Sequence, residues 1–244
     1  MNIAIVGATG NVGRKTLEVL EKKGLTLGNL YLVASSKSAG KKIHFQGKDI
    51  IVSELENFDF SKVKIAFFAA GGKISEKFAE KAAEHCLVID NSSFFRMDPD
   101  VPLIVPQVNS DALNNVKKNI IANPNCSTAQ LVIALKPLHD LFVIKRIVVS
   151  TYQSVSGAGK ASMDELIKQT KLALDGKDIK SENFTKPIAF NAIPHIDVFS
   201  EDGYTKEELK MKNETKKILD DKIDLTATCV RSVSYTHLTL PTTS

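Results

Sequence analysis

Short apolar runs alternate with amphipathic stretches through the first half of the chain. Four runs have the length and composition of buried strands, and they cover residues 2–6, 30–34, 63–69 and 87–90. Amphipathic stretches with a helical period separate the first run from the second and the third from the fourth, over 14–23 and 75–84. Repeated β–α–β units of this kind predict an α/β fold built on a doubly wound parallel sheet.

The pattern changes after about residue 128. We predict two further strands and two further helices, over 145–153, 225–231, 160–174 and 205–219. The helix that starts at residue 127 is predicted to stop at Pro137, since proline cannot donate the backbone hydrogen bond that continues a helix. Period-two alternation puts Cys229 and Arg231 on the same face of the last strand. Residues from 128 onward are therefore predicted to form a second, α+β domain.

A glycine-rich turn, Gly-Ala-Thr-Gly-Asn-Val-Gly, lies between the first strand and the first helix. Gly7 allows a tight turn, Gly10 lets the backbone approach a pyrophosphate, and Gly13 lets the helix lie close to the strand. The helix N-terminus offers free N–H groups to the phosphates. This context favours a Rossmann-like dinucleotide site; the alternative is a plain glycine turn.

The second strand ends in Ser35-Ser36-Lys37-Ser38, where an NAD-preferring site usually carries Asp or Glu. Hydroxyl and ammonium groups suit a 2′-phosphate, and no carboxylate follows this strand to repel it. We therefore predict NADP as the cofactor. The alternative is an ordinary polar loop. Gly71 and Gly72 form a second glycine turn, after the third strand, where a cofactor is also expected.

Cys126 lies in Asn-Pro-Asn-Cys-Ser-Thr-Ala-Gln, where an extended run gives way to a helical one. Pro124 blocks a helix before it, and Asn125 is a favourable N-cap. The positive end of the helix would then stabilise a thiolate on Cys126 and make it a usable nucleophile. The alternative is a buried structural cysteine that caps a turn.

An arginine between aromatic residues and aspartates, Arg96, follows the strand at 87–90. It could clamp a carboxylate or a phosphate through two hydrogen bonds. The alternative is a surface ion pair with Asp98 or Asp100. The stretch 154–160 superficially resembles a phosphate loop, but Ser154 stands where such a loop needs glycine, and we reject an ATPase.

Composition narrows the class of protein. The 244 residues are 43% hydrophobic and 25% charged, as in globular domains, with no apolar run of transmembrane length and no signal peptide at the start. The three cysteines form no CxxC pair, which fits a reducing, cytoplasmic compartment and argues against a thiolate metal site. The net charge of +4 is mild, and we interpret most lysine pairs, such as Lys216-Lys217, as solvated faces. We expect no metal, nucleic acid or membrane partner.

Taken together, six motifs resemble the bacterial NADP-dependent aspartate-β-semialdehyde dehydrogenases. They are Gly-Ala-Thr-Gly-Asn-Val-Gly (7–13), Asn-Ser-Ser-Phe-Phe-Arg-Met (91–97), Val-Pro-Gln-Val-Asn (105–109), Asn-Pro-Asn-Cys-Ser-Thr (123–128), Tyr-Gln-Ser-Val-Ser-Gly-Ala-Gly (152–159) and Ala-Thr-Cys-Val-Arg (227–231). The resemblance implies phosphate-dependent interconversion of aspartate semialdehyde and aspartyl phosphate, in the synthesis of lysine, threonine and methionine. It also implies a homodimer and a small-molecule substrate.

The resemblance carries roles to individual residues. Cys126 would form the acyl-enzyme thioester, with Asn125 fixing it, and Gln153 would orient the substrate. Arg96 and Lys210 would hold the phosphate beside Glu207, and Arg231 would grip the substrate carboxylate. The expected NADP contacts are Gly7, Thr9, Gly10, Asn11, Val12, Gly13, Ser35, Ser36, Ser38, Gly72, Ser156 and Gly157.

The resemblance implies an NADP-binding Rossmann-like domain over 1–127, a partial α+β catalytic and dimerisation domain over 128–231, and an unrelated tail over 232–244. In the family a strand continues from the arginine to a general acid/base histidine. His237 lies near that distance, but its surroundings differ from the family pattern. A second hypothesis is therefore an inactive nucleotide-binding fragment with exposed apolar surface and poor stability. A third, a related reductase such as that for N-acetylglutamyl phosphate, is disfavoured by residues 152–159.

Overall fold

The protein, described here from a computed structural model that covers residues 1–232, folds as two compact units. The first comprises Met1–Pro137 with Lys217–Asp220, and the second comprises Leu138–Lys216 with the chain from Asp221. The change from one unit to the other falls inside a helix, not at its start. His237 and the predicted tail beyond Ser232 lie outside the described residues.

The first unit contains a six-stranded sheet. Its strands are β1 (Ile3–Val6), β2 (Leu30–Ala34), β5 (Ser53–Glu54), β6 (Ile65–Phe68), β7 (Leu87–Asp90) and β8 (Ile120–Ala122). They pair in the order β5-β2-β1-β6-β7-β8, and every pair is parallel. Strands β3 (Lys42–Phe45) and β4 (Lys48–Ile51) form a separate antiparallel hairpin. The predicted parallel Rossmann-like sheet is confirmed.

Helices cover both faces of this sheet. Ile3 and Ile5 of β1 pack into one apolar cluster with Leu17 of α1 (Asn11–Lys22). The alternate residues of β1 belong to a second cluster, which includes Phe78 of α2 (Gly72–Ala83). All four residues of β1 are buried. A strand that is apolar on both faces is typical of the centre of a doubly wound sheet, so β1 organises the unit.

Two more helices follow, the short α3 (Pro106–Asn109) and the longer α4 (Cys126–Phe142), which begins in the first unit and ends in the second. The prediction that the helix stops at Pro137 is wrong, because α4 continues through this proline for another turn. A proline removes one hydrogen bond but keeps a helical φ, so the turns on either side can hold the helix together. The helix ends instead where Val143, at φ 53°, donates its N–H to the carbonyl of His139.

Up to Ser232, the second unit contains a mixed sheet of three strands and the helices α5 and α6. Its elements are β9 (Arg146–Ser154), α5 (Lys160–Leu174), β10 (Ala192–Ile193), α6 (Lys206–Ile218) and β11 (Asp224–Ser232). The strand order is β10-β11-β9, with β11 parallel to β9 and antiparallel to β10. Along β11, Cys229 and Arg231 both lie on the buried face, as the alternation predicts.

We expect Gly13→Ala to destabilise the first unit. An added Cβ would lie against the carbonyl of Gly7 and 2.8 Å from the Cα of Ala8, and backbone atoms move aside only at a cost. The expected loss is about 1–3 kcal/mol of unfolding free energy, measured by thermal or urea unfolding. Gly72→Ala is the control, since its Cβ would meet nothing closer than Phe94, at 3.9 Å. Equal melting of both variants would contradict a tight contact between α1 and the turn that contains Gly7 and Ala8.

Candidate active site

A cleft of about 450 Å³ opens at the carboxyl ends of β1, β2 and β6. Of the predicted cofactor residues, it is lined by Gly7, Thr9, Gly10, Ser35 and Ser36. Ligands of open parallel sheets bind at this edge, because the connections to the helices leave a crevice there. The cleft is therefore of the right kind and in the right place for a dinucleotide.

The glycine turn has the geometry that the sequence predicts. Gly7 has a φ of 86°, which favours glycine, and its Cβ would lie 2.6 Å from the carbonyl oxygen of Ala69. The amide of Gly10 closes the turn on the carbonyl of Gly7, at 2.9 Å. Asn11 and Val12 then form the first exposed turn of α1. The backbone thus reaches the cleft with no side chain in the way.

Two carboxylates that the sequence reasoning missed also line the cleft. Glu54 lies at the end of β5, beside Ala34 at the end of β2, and Glu56 follows it. The prediction considered only the residues that follow β2, so it did not include these two carboxylates. Glu56 pairs with Lys77 at 2.6 Å, and the Glu54 carboxylate accepts a hydrogen bond from Asn57. The signal available in the sequence was that a polar residue follows each neighbouring strand, so more than one strand end can contribute to the cleft.

The other predicted cofactor residues fall in three places. The hydroxyl of Ser38 lies 3.4 Å from that of Thr9, next to the cleft. Gly72 is the first residue of α2. Ser156 and Gly157 belong to the second unit, where a Cβ on Gly157 would lie 3.3 Å from the Nη1 of Arg231. A side chain at this position would therefore lie against the guanidinium of Arg231.

Cys126 is the first residue of α4 and is exposed. The side-chain oxygen of Asn125 accepts a hydrogen bond from the backbone N–H of Ser127 at 2.9 Å, which is the geometry of an N-cap. The sulfur therefore lies at the positive end of a long helix, where negative charge is stabilised. Cys86 and Cys229 are buried, and burial raises the pKa of each thiol to about 11.

Arg96 is held beside the turn that carries Cys126. Its Nε donates to the carbonyl of Asn123 at 2.9 Å, and its Nη2 donates to the carbonyl of Asn91 at 3.1 Å. Only 8% of the residue is exposed. The two neighbouring aspartates pair with lysines, Asp98 with Lys118 and Asp100 with Lys117. The guanidinium is therefore fixed to the backbone that leads into α4.

Lys217 anchors the loop of Arg96 from the other side. Its ammonium donates to three carbonyls, those of Arg96, Asp98 and Val101, at 2.8, 2.6 and 2.9 Å. Burial lowers the pKa of Lys217, although the nearby Asp98 charge acts in the opposite direction. Sequence reasoning interpreted lysine pairs as solvated faces, and Lys217 is an exception. Nothing in the local pattern indicates a partner more than a hundred residues away.

In the second unit, sheet register brings two predicted residues together. Gln153 and Arg231 are direct partners in the parallel pair of β9 and β11. Arg231 is buried and donates to the carbonyl of Ser154. The Nε2 of Gln153 donates to the Oε1 of Glu207 at 3.0 Å, and its Oε1 accepts from Thr151. The sequence placed these residues in separate motifs, and the fold makes them neighbours.

Lys210 completes this group from α6. Its ammonium lies 3.2 Å from Glu207, one turn earlier, and 2.8 Å from Asp197. Burial alone would lower the pKa of Lys210, but the hydrogen bond to Asp197 and the charges of both carboxylates raise it overall. Burial likewise opposes the ionised form of Asp197, and the bonds from Lys210 and Val198 lower its pKa. Both shifts favour the ionised form of the pair. Sequence reasoning missed Asp197.

Within residues 1–232 no group of three or more His, Cys, Asp or Glu side chains is arranged to hold a metal ion. In the same part of the chain, no helix is both long enough and apolar enough to cross a membrane.

Thiol labelling should single out Cys126. In the native protein at pH 8, iodoacetamide should modify Cys126 and leave Cys86 and Cys229 intact, because these two are buried and carry pKa values of about 11. Peptide mass spectrometry after a short exposure measures this. Cys126→Ala is the control and should remove the label. Rapid native labelling of Cys86 or Cys229 would contradict the geometry.

Replacing Lys217 should loosen the loop of Arg96. Lys217→Met removes three charge-assisted hydrogen bonds, although the carbonyl of Asp98 still accepts from the N–H of Val101, so we expect a loss of about 2–4 kcal/mol of unfolding free energy. Thermal and urea unfolding measure it. Lys216→Met, the same change one position earlier, should cost less than about 0.5 kcal/mol. Equal stability of the two variants would rule out an anchoring role for Lys217.

Comparison with known proteins places this geometry in a family. The model for the NAD binding domain of semialdehyde dehydrogenases matches residues 2–116, and the model for their dimerisation domain matches 135–243. The aspartate-semialdehyde dehydrogenase of Aquifex aeolicus is 54% identical over 241 residues, which are 96% of this chain and 71% of that protein. Aspartate-semialdehyde dehydrogenase 2 of Vibrio cholerae is 52% identical over 97% of this chain and 71% of its own length.

Solved structures agree. The aspartate semialdehyde dehydrogenase II of Vibrio cholerae, in complex with ASA, matches with a TM-score of 0.93 at 51% identity, over 96% of this chain and 70% of that one. The enzyme of Candida albicans, solved with NADP, matches with a TM-score of 0.66 at 26% identity, over 95% of this chain and 67% of that one. Identity of one residue in two over nearly the whole chain reflects common descent, and the chain belongs to the aspartate-semialdehyde dehydrogenase family of oxidoreductases.

Proposed function

We propose that this protein interconverts aspartate semialdehyde and aspartyl phosphate, with NADP and inorganic phosphate, through a thioester on Cys126. The reaction would serve the synthesis of lysine, threonine and methionine. The observation that carries the proposal is an exposed cysteine at the capped start of a seventeen-residue helix, beside a buried arginine fixed to the same turn. A nucleophile and a fixed cation in one turn suit acyl transfer to an anion.

The cleft fits a pyridine dinucleotide. The close approach of Gly7 to Ala69 and of Gly13 to Gly7 leaves backbone, not side chain, at the turn. Ser35, Ser36 and Ser38 offer hydroxyls to a 2′-phosphate, and the relative from Candida albicans was solved with NADP. When bound, the nicotinamide supplies or accepts the hydride. Glu54 and Glu56 are close enough to affect the choice between NAD and NADP.

The chain's own residues account for the acyl chemistry. The thiolate of Cys126 adds to the aldehyde carbon and forms a carbon–sulfur bond. Loss of hydride from that carbon gives the thioester. Phosphate oxygen then attacks the thioester carbonyl, the carbon–sulfur bond breaks, and the thiolate is regenerated with aspartyl phosphate as product. A covalent intermediate of this kind splits one difficult transfer into two easier ones.

In this proposal, residues of the second unit orient the substrate. Gln153 is held by Glu207 and Thr151, which leaves its second N–H to position the acyl group. Arg231 binds the substrate carboxylate, and its guanidinium is held by the carbonyl of Ser154. Glu207 lies beside Lys210 and holds Gln153. Arg96 and Lys210 bind the phosphate.

The active form is proposed to be a homodimer. The second unit corresponds to the family's dimerisation domain. On β9, the outward side chains of Val148 and Tyr152 are 70% and 71% exposed. In an aqueous protein, apolar groups in such a row mark an interaction surface.

Activity with matched variants tests the proposal. NADPH formation from semialdehyde should require phosphate, and Cys126→Ala should lower the rate by about 10³-fold or more while NADPH still binds. Ser127→Ala is the control, because only its backbone N–H has a role in the cap. Fluorescence titration measures NADPH binding in each variant.

Two results would overturn the proposal. Turnover that persists in Cys126→Ala would exclude the thioester. NADPH binding without any turnover in the unmodified chain would favour the non-catalytic, nucleotide-binding hypothesis.

A further inference from the structure

Asp197 stands out in the segment between β10 and α6. It has a φ of 69°, in the left-handed region that side-chain-bearing residues seldom adopt. One carboxylate oxygen accepts from the N–H of Val198 at 2.9 Å, and the other accepts from Lys210 at 2.8 Å. Aspartate tolerates this conformation better than most residues, and here one carboxylate oxygen is fixed on the backbone while the other holds a site residue.

The two carboxylates on Lys210 are not equivalent. Glu207 has 8% of its side chain exposed and already accepts from Gln153, so it is fixed inside the unit. Asp197 has 34% of its side chain exposed, so it is the carboxylate of the two that dissolved anions can reach.

Charge makes this arrangement unfavourable for anions at rest. One ammonium faces two carboxylates, so Lys210, Asp197 and Glu207 together carry one positive and two negative charges at neutral pH, and the charge of Lys206 also acts on Asp197. A phosphate that binds the Lys210 ammonium must compete with Asp197 for the same donor and is repelled by its charge. A like charge within a few ångströms of a partly buried site weakens binding measurably.

We propose that Asp197 is a positioning residue that holds the ammonium of Lys210 until phosphate displaces the Asp197 carboxylate. Asp197 thereby limits the affinity of the site for phosphate. The inference rests on the proposed function, in which Lys210 binds phosphate. Asp197 is then a counterion that keeps Lys210 in place in the empty site. It also keeps inorganic phosphate from binding too tightly to leave.

Asp197→Asn tests the charge alone. Asparagine tolerates the left-handed region and keeps an oxygen for the N–H of Val198. We expect the dissociation constant of inorganic phosphate, measured by calorimetry on the full chain, to fall by roughly three- to tenfold. The KM for phosphate should fall in parallel, whereas the KM for the semialdehyde should change less than twofold.

Two further variants separate charge from backbone. Asp197→Gly removes the carboxylate and suits the positive φ, so it should also tighten phosphate binding. Asp164→Asn is the matched control, because Asp164 pairs with Lys160 in the same unit at 2.6 Å and is exposed. It should leave phosphate binding unchanged.

The phosphate-binding results of these variants test the roles of Asp197 and Lys210 separately. Unchanged or weaker phosphate binding in a folded Asp197→Asn variant overturns the inference. Lys210→Met distinguishes that failure from failure of the proposed function. If this variant binds phosphate as well as the unmodified chain, the role of Lys210 is wrong. If it binds more weakly while Asp197→Asn does not bind more tightly, only the counterion role is wrong.

Discussion

The start of α4 is the constraint on which the first unit's chemistry depends. Strand β8 ends at Ala122, and four residues later the helix begins at Cys126. Within this turn, Asn125 caps the helix, and the carbonyl of Asn123 receives the guanidinium of Arg96. Because one short turn positions both the sulfur and the cation, anything that moves the turn moves both groups together. A rigid, hydrogen-bonded turn is what a preorganised site requires.

The second unit satisfies a related demand, which is to keep charges half-buried without leaving them unpaired. Glu207 and Glu208 are neighbours in the first turn of α6, yet they bind different partners. Glu207 faces Gln153 and Lys210. Glu208 accepts from the backbone of Thr205 and Cys229 and so caps the helix and ties it to β11. One acidic pair thus supplies a structural anchor and a group for the site.

Local patterns in the sequence predicted most elements well, since short-range periodicity fixes them. The bounds of β2 and α5 agree with the prediction to the residue. The prediction that the helix stops at Pro137 was wrong because the effect of a proline depends on the turns around it, which a local rule does not include. The domain boundaries and the roles of the site residues stay predictions.

What the sequence could not supply are contacts between distant segments. Glu54 enters the cleft only because β5 pairs with β2, and Lys217 reaches the loop of Arg96 only through tertiary packing. Asp197 has no motif of its own. Gln153 and Arg231 appeared as separate candidates, and the register of two strands, set by burial along their whole length, made them neighbours.

That register has a consequence for how this chain can vary. Strands β9 and β11 pair residue for residue over nine positions, from Arg146 with Asp224 to Ser154 with Ser232. Side chains alternate between the two faces of a strand, so one inserted or deleted residue before Arg231 would turn its guanidinium outward and bring a neighbour in. A substitution changes one side chain and keeps this register, whereas a change in the length of either strand shifts it. Natural variants should accordingly accumulate substitutions along both strands and confine their insertions to the loops.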